Sequence, residues 1–139
     1  MHPAEKLAQW YAGISPSNLA EIKQFYAPNA RFKDPFNDVV GIAQIEKIFV
    51  HMFASTTQPR FVFQDFVLQE QQAFLTWEFH FGLRGKQYTV IGGSHLFFDQ
   101  QGRVITHRDY WDVAEELWQK IPVLGVLVRF LRRRFMAVP

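Results

Sequence analysis

The spacing of apolar residues changes at Arg60, and this change constrains the fold more than any other feature of the sequence. Between Arg60 and Trp111, apolar and polar side chains alternate with a period of two, which is typical of strands with one buried face. Two short segments of turn-forming residues, 84–86 and 99–102, divide this stretch into hairpins. We predict strands at residues 60–67, 74–83, 87–98 and 103–111.

Two glycines, Gly92 and Gly93, fall in the middle of the third of these strands. Glycine inside a strand often marks a bulge or a sharp bend. We therefore predict either a bulge or sharp curvature at this point, in a sheet that curves.

The segments on either side of the strands have apolar residues at helical spacing. Before the strands, the pattern predicts helices over residues 7–14, 19–26 and 41–54, with a short strand at residues 30–33. After them, a helical pattern returns at residue 115 and is broken or kinked at Pro122 and Gly125. Helices, then antiparallel strands, then a final helix predict one α+β domain over residues 1–139.

The composition excludes several kinds of site and partner. Cysteine is absent, which excludes disulfides and thiolate sites. The amino-terminal segment is too polar for a secretory signal and no apolar run is long enough to span a bilayer, so we expect a soluble, cytoplasmic protein. Four of the 15 basic residues are arginines at positions 129 and 132–134, which leaves 11 basic against 13 acidic residues elsewhere. We therefore expect no nucleic-acid partner.

Sequence patterns for metals and cofactors are also missing. The five histidines show neither H-x-H nor H-E-x-x-H spacing, and there is no glycine-rich phosphate loop or nucleophile elbow. We expect neither a metal nor an organic cofactor.

Few polar residues are suited to acid–base chemistry. Asp34 precedes Pro35 within a run of aromatic residues, and a carboxylate among apolar groups holds a proton more readily than one in water. His107 and Asp109 share one strand face, with about 7 Å between their Cα atoms, so that each can influence the ionisation of the other. Ser94 lies on the neighbouring strand. The candidate catalytic residues are Asp34, His107 and Asp109.

Two stretches of the sequence resemble a known family. They are YAPNARFKDPFNDVVGIAQI at residues 26–45 and LRGKQYTVIGGSHLFFDQQGRVITHRDYW at residues 83–111. Both are similar to the ketosteroid isomerases and to the wider SnoaL-like group of the nuclear-transport-factor-like superfamily. The resemblance implies a curved antiparallel sheet that forms a cone, closed by the amino-terminal helices, around a cavity for a small apolar organic molecule.

The resemblance also implies roles for single residues. Asp34 matches the general base of the isomerases, and Tyr26 matches a supporting tyrosine. Trp10 and Phe49 stand where that family has tyrosines, and Ser94 replaces its protonated acid. We therefore expect only weak donors to a substrate oxyanion and no authentic ketosteroid isomerase activity.

SnoaL-like polyketide cyclases use an aspartate of the late strands instead, which implies an acid–base role for Asp109 with His107. The rest of the expected pocket is apolar. The predicted substrate-binding residues are Trp10, Tyr26, Phe49, Trp77, Phe79, Phe81, Ser94 and Trp111.

Alternative interpretations remain open. An aspartate before a proline, such as Asp34, is also typical of a turn that accepts backbone hydrogen bonds, and His107 with Asp109 is compatible with a purely structural pair. The alternative to an isomerase or cyclase is a non-catalytic module that binds a ligand or another protein. In this alternative, the outer face of the sheet mediates a homodimer. The arginine-rich helix within residues 121–139 is expected to pack as a lid over the cone, and a contact with a membrane surface is the alternative.

Overall fold

A computed structural model describes residues 1–137 and has the predicted α+β fold, a six-stranded curved sheet with helices at both ends of the chain. The helices are α1 (Pro3–Ala12), α2 (Ile42–Ser55), α3 (Val113–Glu116) and α4 (Pro122–Phe135), with 3₁₀ turns at Leu19–Gln24 and Trp118–Lys120. The strands are β1 (Tyr26–Lys33), β2 (Asp38–Val40), β3 (Thr57–Leu68), β4 (Gln72–Leu83), β5 (Lys86–Phe98) and β6 (Val104–Tyr110).

The strands lie in the order β2-β1-β6-β5-β4-β3, and every neighbouring pair is antiparallel except β1 with β6. The prediction of a wholly antiparallel sheet is therefore wrong at this pair. About half of the chain separates β1 from β6, and a parallel pair needs a long connection of this kind. The pairing brings the strand that leads to Asp34 beside the strand that carries His107 and Asp109.

Tyr26 lies in a strand and not in the helix that the local spacing predicted. The predicted helix over residues 19–26 is the 3₁₀ turn Leu19–Gln24, and β1 begins at Tyr26. Tyr26 pairs with Val104 of β6 and is fully buried. This contact between residues distant in sequence overrides the local helical pattern.

A capping box fixes the start of α1. Nδ1 of His2 accepts a hydrogen bond from the backbone N–H of Ala4 at 3.0 Å, and Oε1 of Glu5 accepts one from the backbone N–H of His2 at 3.0 Å. These bonds satisfy donors that the first turn of a helix would otherwise leave free. The inner face of α1, which includes Leu7 and Tyr11, is buried in the main core.

The predicted hairpin between β4 and β5 is confirmed. Arg84 and Gly85 form a two-residue turn between the paired residues Leu83 and Lys86, and both have positive φ, 52° and 77°. Positive φ at both positions defines the turn type whose twist matches that of the flanking strands.

Of the two alternatives predicted at Gly92 and Gly93, the bulge is excluded, because both residues pair with β4 in unbroken register. A Cβ on Gly92 would lie 2.6 Å from the ring of Trp77, so the glycine allows this ring to pack closely against β5. The register shifts that accompany sheet curvature lie instead in β3 and near the end of β5.

The carboxyl-terminal helical pattern is interrupted at Pro122, as predicted, but α4 continues without a break through Gly125, which is buried. α4 packs on the 3₁₀ turn Trp118–Lys120. Residues 138 and 139 of the predicted arginine-rich tail lie outside the described residues. Within residues 1–137, no helix has both the length and the apolar character needed to cross a membrane.

Candidate functional site

A cavity of about 410 Å³ lies between α1, α2 and the concave face of the sheet. Its lining changes from buried residues at the deep end to more exposed residues at the mouth. The deep end includes Leu7, Tyr11, Leu75, Ser94, Leu96 and His107, and the mouth includes Asp34, Phe36, Asn37, His51 and Ser55.

Aromatic rings of β3 and β4 form one wall of the cavity. The ring of Phe79 stacks on Phe61 with a centroid distance of 4.6 Å and on Phe81 with a centroid distance of 5.0 Å. Trp77 meets Phe61 edge-on at 6.2 Å. A wall of stacked rings suits an apolar ligand, because small-molecule sites are mostly apolar with a few polar groups that set orientation.

Those few polar groups come from β5 and β6. The register pairs Ser94 with Asp109 and Leu96 with His107. Because side chains two residues apart share a strand face, Ser94, His107 and Asp109 all point into the cavity. The sequence predicted that His107 and Asp109 share a strand face, and the structure gives the β5–β6 register that places Ser94 beside Asp109.

A first hydrogen-bond arm runs from Trp77 to Asp109. The indole N–H of Trp77 donates to Oγ of Ser94 at 2.8 Å, and the Ser94 hydroxyl donates to Oδ1 of Asp109 at 2.5 Å. An indole nitrogen can only donate, so the serine oxygen accepts from it and directs its own proton to the carboxylate. Ser94 therefore fixes the orientation of both the indole ring and the carboxylate.

A second arm reaches Asp109 from α1. The hydroxyl oxygens of Tyr11 and Tyr26 are 2.5 Å apart, the Tyr26 hydroxyl is 2.7 Å from Nδ1 of His107, and Nε2 of His107 is 2.6 Å from Oδ1 of Asp109. An ionised carboxylate only accepts, so Nε2 of His107 donates to it. In the neutral imidazole, Nδ1 then accepts from Tyr26, and Tyr26 accepts from Tyr11.

Both tyrosines of the second arm remain protonated at neutral pH. Burial is the main cause that raises the pKa of Tyr11 and of Tyr26 above the ordinary value of tyrosine, and the nearby charge of Asp109 acts in the same direction. Both hydroxyl groups therefore keep the protons that they donate within the second arm.

The two arms end on the same oxygen of Asp109. Oδ1 accepts from Ser94 and from His107, whereas no hydrogen bond from residues 1–137 reaches Oδ2. Asp109 is mostly buried and lines the cavity. The carboxylate is thus held in one orientation, and Oδ2 is available to a molecule inside the cavity.

Asp34 lies at the mouth of the cavity and holds the turn between β1 and β2. Its Oδ1 accepts hydrogen bonds from the backbone N–H groups of Phe36 and Asn37 at 2.8 and 2.7 Å, and from the Asn37 side chain at 3.1 Å. This geometry corresponds to the turn interpretation of the sequence. Asp34, His107 and Asp109 nevertheless line the same cavity.

The predicted substrate-binding residues divide into two groups. Trp10 and Tyr26 lie outside the lining. The indole N–H of Trp10 donates to the backbone oxygen of Asn18 at 3.4 Å, and its ring stacks on Phe25, so it belongs to the core under α1. Tyr26 reaches the site only through the second arm. The residues that line the cavity are Phe49, Trp77, Phe79, Phe81, Ser94 and Trp111.

Tyr11 is a site residue that the sequence analysis missed. Trp10, one residue earlier, was matched to the tyrosine position of the isomerases. Leu7 and Tyr11 both line the cavity, and residues four apart share a helix face. The inner face of α1 was therefore visible in the sequence, but which of its polar atoms meets Tyr26 depends on the tertiary structure.

Metal binding finds no support in the geometry. Among residues 1–137, no three His, Asp or Glu side chains are grouped so that they could hold a metal ion.

The chain belongs to the family of SnoaL-like domains, whose model matches residues 7–107. The architecture, a cone of curved sheet around a cavity, is that of the nuclear-transport-factor-like superfamily. A search of curated protein sequences finds no match.

Solved structures share the fold at low sequence identity. An NTF2-like protein of unknown function from Burkholderia pseudomallei superposes with a TM-score of 0.72 at 16% identity, covering 81% of this chain and 92% of that one. A hypothetical protein with a ketosteroid isomerase-like fold from Catenulispora acidiphila, solved with trimethylamine, has a TM-score of 0.71 at 14% identity and coverages of 84% and 92%. A putative SnoaL-like polyketide cyclase from a Jannaschia species has a TM-score of 0.71 at 14% identity and coverages of 81% and 87%.

Proposed function

We propose that this protein binds a small, mainly apolar organic molecule in the cavity and moves a proton on it with Asp109. The observation that carries this proposal is the convergence of two hydrogen-bond arms on Oδ1 of Asp109, which leaves Oδ2 for a ligand in an apolar cavity. The reaction class is a proton transfer next to a carbonyl group, as in an isomerisation or a cyclisation, and it needs no cofactor. The similar structure named as a polyketide cyclase supports this class.

The size and lining of the cavity support a ligand of moderate size. A volume of about 410 Å³ lies within the range of small-molecule sites. The aromatic wall of β3 and β4 would hold the apolar body of the ligand, whereas a polar group of the ligand would lie at the deep end, beside Asp109 and Tyr11. Binding would therefore orient one end of the ligand toward the carboxylate.

The proton transfer can be written with Asp109 alone as the base. Oδ2 of the ionised carboxylate accepts a proton from a carbon next to the carbonyl, and the electron pair of that C–H bond passes to the carbonyl oxygen to give an enolate. The carboxylic acid then returns the proton to a carbon of the same molecule. Asp109 ends the cycle ionised, so no other reactant is consumed.

The second arm can assist the proton transfer when the hydrogen bonds along it reverse their donors and acceptors. When His107 is protonated, Nδ1 donates to Tyr26, Tyr26 donates to Tyr11, and the hydroxyl of Tyr11 is released to donate to an oxygen in the cavity. A donor placed at a developing oxyanion contributes roughly a hundredfold or more in rate. Tyr11 thus takes the role that the sequence analysis gave to Trp10.

Asp109 is favoured over Asp34 as the base by the surroundings of the two carboxylates. Oδ1 of Asp34 accepts three hydrogen bonds within its own turn, at the more exposed end of the cavity. Asp109 lies deeper, and the residues that hold it leave one oxygen available. Asp34 is then a residue that shapes the mouth of the cavity.

The proposal is tested by deuterium exchange. Cyclic ketones and enones of graded size are incubated with the protein in deuterated water, and proton NMR measures the loss of hydrogens next to the carbonyl. We expect at least one compound to exchange faster with the wild type, with Asp109→Asn slowing this exchange by roughly a hundredfold or more. Asp34→Asn, which keeps an acceptor oxygen for the turn, is the matched control and should change the rate less than tenfold.

Two outcomes would contradict the proposal in different ways. A rate that collapses in Asp34→Asn and survives in Asp109→Asn would make Asp34 the base. Saturable binding without enzyme-dependent exchange for any compound would indicate a non-catalytic ligand-binding protein.

A second candidate role is dimerisation through the outer face of the sheet. Phe74, Ile91 and Phe97 are large apolar side chains exposed on that face. Exposed apolar patches commonly mark contacts between proteins. Sedimentation velocity of the wild type and of Ile91→Asp tests this role, which requires a dimer that the substitution dissociates.

A further inference from the structure

We propose that the outer face of α4 docks on a lipid surface that carries anionic headgroups. This outer face consists of Val123, Val126, Leu127 and Phe130, with Arg133 and Arg134 at its carboxyl end. The proposal is independent of the chemistry assigned to the cavity.

The outer face of α4 is apolar and uncovered. Val123, Val126, Leu127 and Phe130 are 86%, 62%, 53% and 56% exposed. At about 100° per residue, these four side chains fall within roughly one third of the helix circumference. They therefore form one continuous apolar strip and not scattered surface residues.

The opposite side of the same helix attaches it to the protein. Gly125 and Val128 are buried, and α4 packs on the 3₁₀ turn Trp118–Lys120. That turn is itself fastened to β5, since Nζ of Lys120 donates to the backbone oxygen of Thr89 at 3.0 Å. The helix is thus anchored through one face while its outer face points away from the domain.

The helix does not form the lid that the sequence analysis expected. All residues of α4 are described, and none lines the cavity between α1, α2 and the sheet. Within the described residues, no apolar surface of the domain covers the outer face, so a partner of this face would come from outside the domain.

Charge complementarity indicates which occupant fits. Four arginines lie between residues 129 and 134, and residues 117–137 contain no acidic side chain. Arg133 and Arg134 are exposed at the end of the apolar strip. An apolar strip with cations at its border is the pattern of helices that lie in the interface of anionic membranes. A second copy of this chain would instead bring its own Arg133 and Arg134, and no acidic side chain of α4, to the contact.

The test is flotation of the full-length protein with vesicles, comparing phosphatidylcholine alone with a mixture of phosphatidylcholine and phosphatidylglycerol. We expect binding to the mixed vesicles only, weakened by added salt. Arg133→Gln with Arg134→Gln should weaken it by roughly 25-fold, because each cation near an anionic surface contributes about a fivefold factor. Lys23→Gln with Lys47→Gln removes the same charge from exposed positions elsewhere and should leave binding within about twofold.

The apolar part of the contact is tested with matched valines. Val123→Gln with Val126→Gln should weaken vesicle binding by at least about tenfold. Val40→Gln with Val50→Gln changes two valines that are 60% and 56% exposed on β2 and α2, and should have no effect. Because all four valines are exposed, circular dichroism should be the same for each protein.

Three results would overturn the proposal. They are absence of binding to the mixed vesicles, equal weakening by the test and control pairs, and a dimer that Val123→Gln with Val126→Gln dissociates in a protein that does not bind vesicles. The last result would identify a second copy of the chain as the occupant.

Discussion

Gly92 allows the Trp77 ring of the cavity wall to pack closely against β5, and replacing the glycine with alanine tests that packing. A Cβ at this position would lie 2.6, 2.9 and 3.0 Å from three carbons of the Trp77 ring, whereas carbon atoms in contact are usually about 3.5–4.0 Å apart. The ring is buried and its N–H is bound to Ser94 at 2.8 Å, so it cannot move without losing that bond.

The cost follows from three terms. Overpacking of a core costs about 1–3 kcal/mol, the lost hydrogen bond costs about 1 kcal/mol, and the lower entropy of the unfolded chain returns about 0.4–1 kcal/mol. We expect Gly92→Ala to lower the free energy of unfolding by about 2 kcal/mol in total. The assay is equilibrium unfolding in urea, followed by tryptophan fluorescence and by circular dichroism.

Gly93 offers the matched control one residue along the strand. A Cβ there would meet the Phe74 ring at 2.7 Å and the backbone oxygen of Leu75 at 3.1 Å. The Phe74 ring lies partly exposed on the outer face of the sheet and can rotate into solvent, which leaves only the milder contact with the backbone oxygen. Gly93→Ala should therefore cost less than about 1 kcal/mol. Equal costs for the two substitutions, or a cost below about 0.5 kcal/mol for Gly92→Ala, would refute the packing argument.

The hydrogen-bond arms give two further predictions. Ser94→Ala leaves the buried N–H of Trp77 without its acceptor and removes a donor to Asp109. Urea unfolding should therefore show that the free energy of unfolding falls by about 2–4 kcal/mol. Ser17→Ala on the surface is the control and should lower it by less than about 0.5 kcal/mol. Burial raises the pKa of Tyr26 in the folded protein, so above pH 10 the unfolded chain releases a proton that the folded chain keeps. The contribution of Tyr26 to the free energy of unfolding is therefore fully present below pH 10. It falls by about 1.4 kcal/mol per pH unit as the pH rises above that value. Tyr26→Phe should reduce the slope of unfolding free energy against pH by that amount, and identical slopes in the two proteins would contradict the assigned burial effect.

The alternation of apolar residues predicted the late strands because each of them buries one face. The same rule put His107 and Asp109 on one strand face, and the resemblance to the isomerases implied that this face and Ser94 meet the cavity. It could not set the register between β5 and β6, since a shift in the ladder near Phe97 intervenes. The pairing of Ser94 with Asp109 therefore required the structure.

Other features depend on contacts between distant parts of the chain. Tyr26 continues a helical pattern in the sequence, yet it lies in a strand because β6 pairs with it in parallel. Gly92 suggested a bulge because sequence shows only the missing side chain and not the Trp77 ring that occupies its space. The second arm joins Tyr11, Tyr26 and His107, which are far apart in sequence, so local spacing could not reveal it.

Carbon-13 NMR of the aspartate carboxyl groups tests most directly whether a ligand meets Asp109. Protein labelled at the aspartate carboxyl carbons is titrated with a compound that binds saturably, and Asp109→Asn and Asp34→Asn assign the two signals. The account predicts that the Asp109 signal shifts along the binding curve while the Asp34 signal moves less. A signal of Asp109 that stays unchanged at saturation would contradict it.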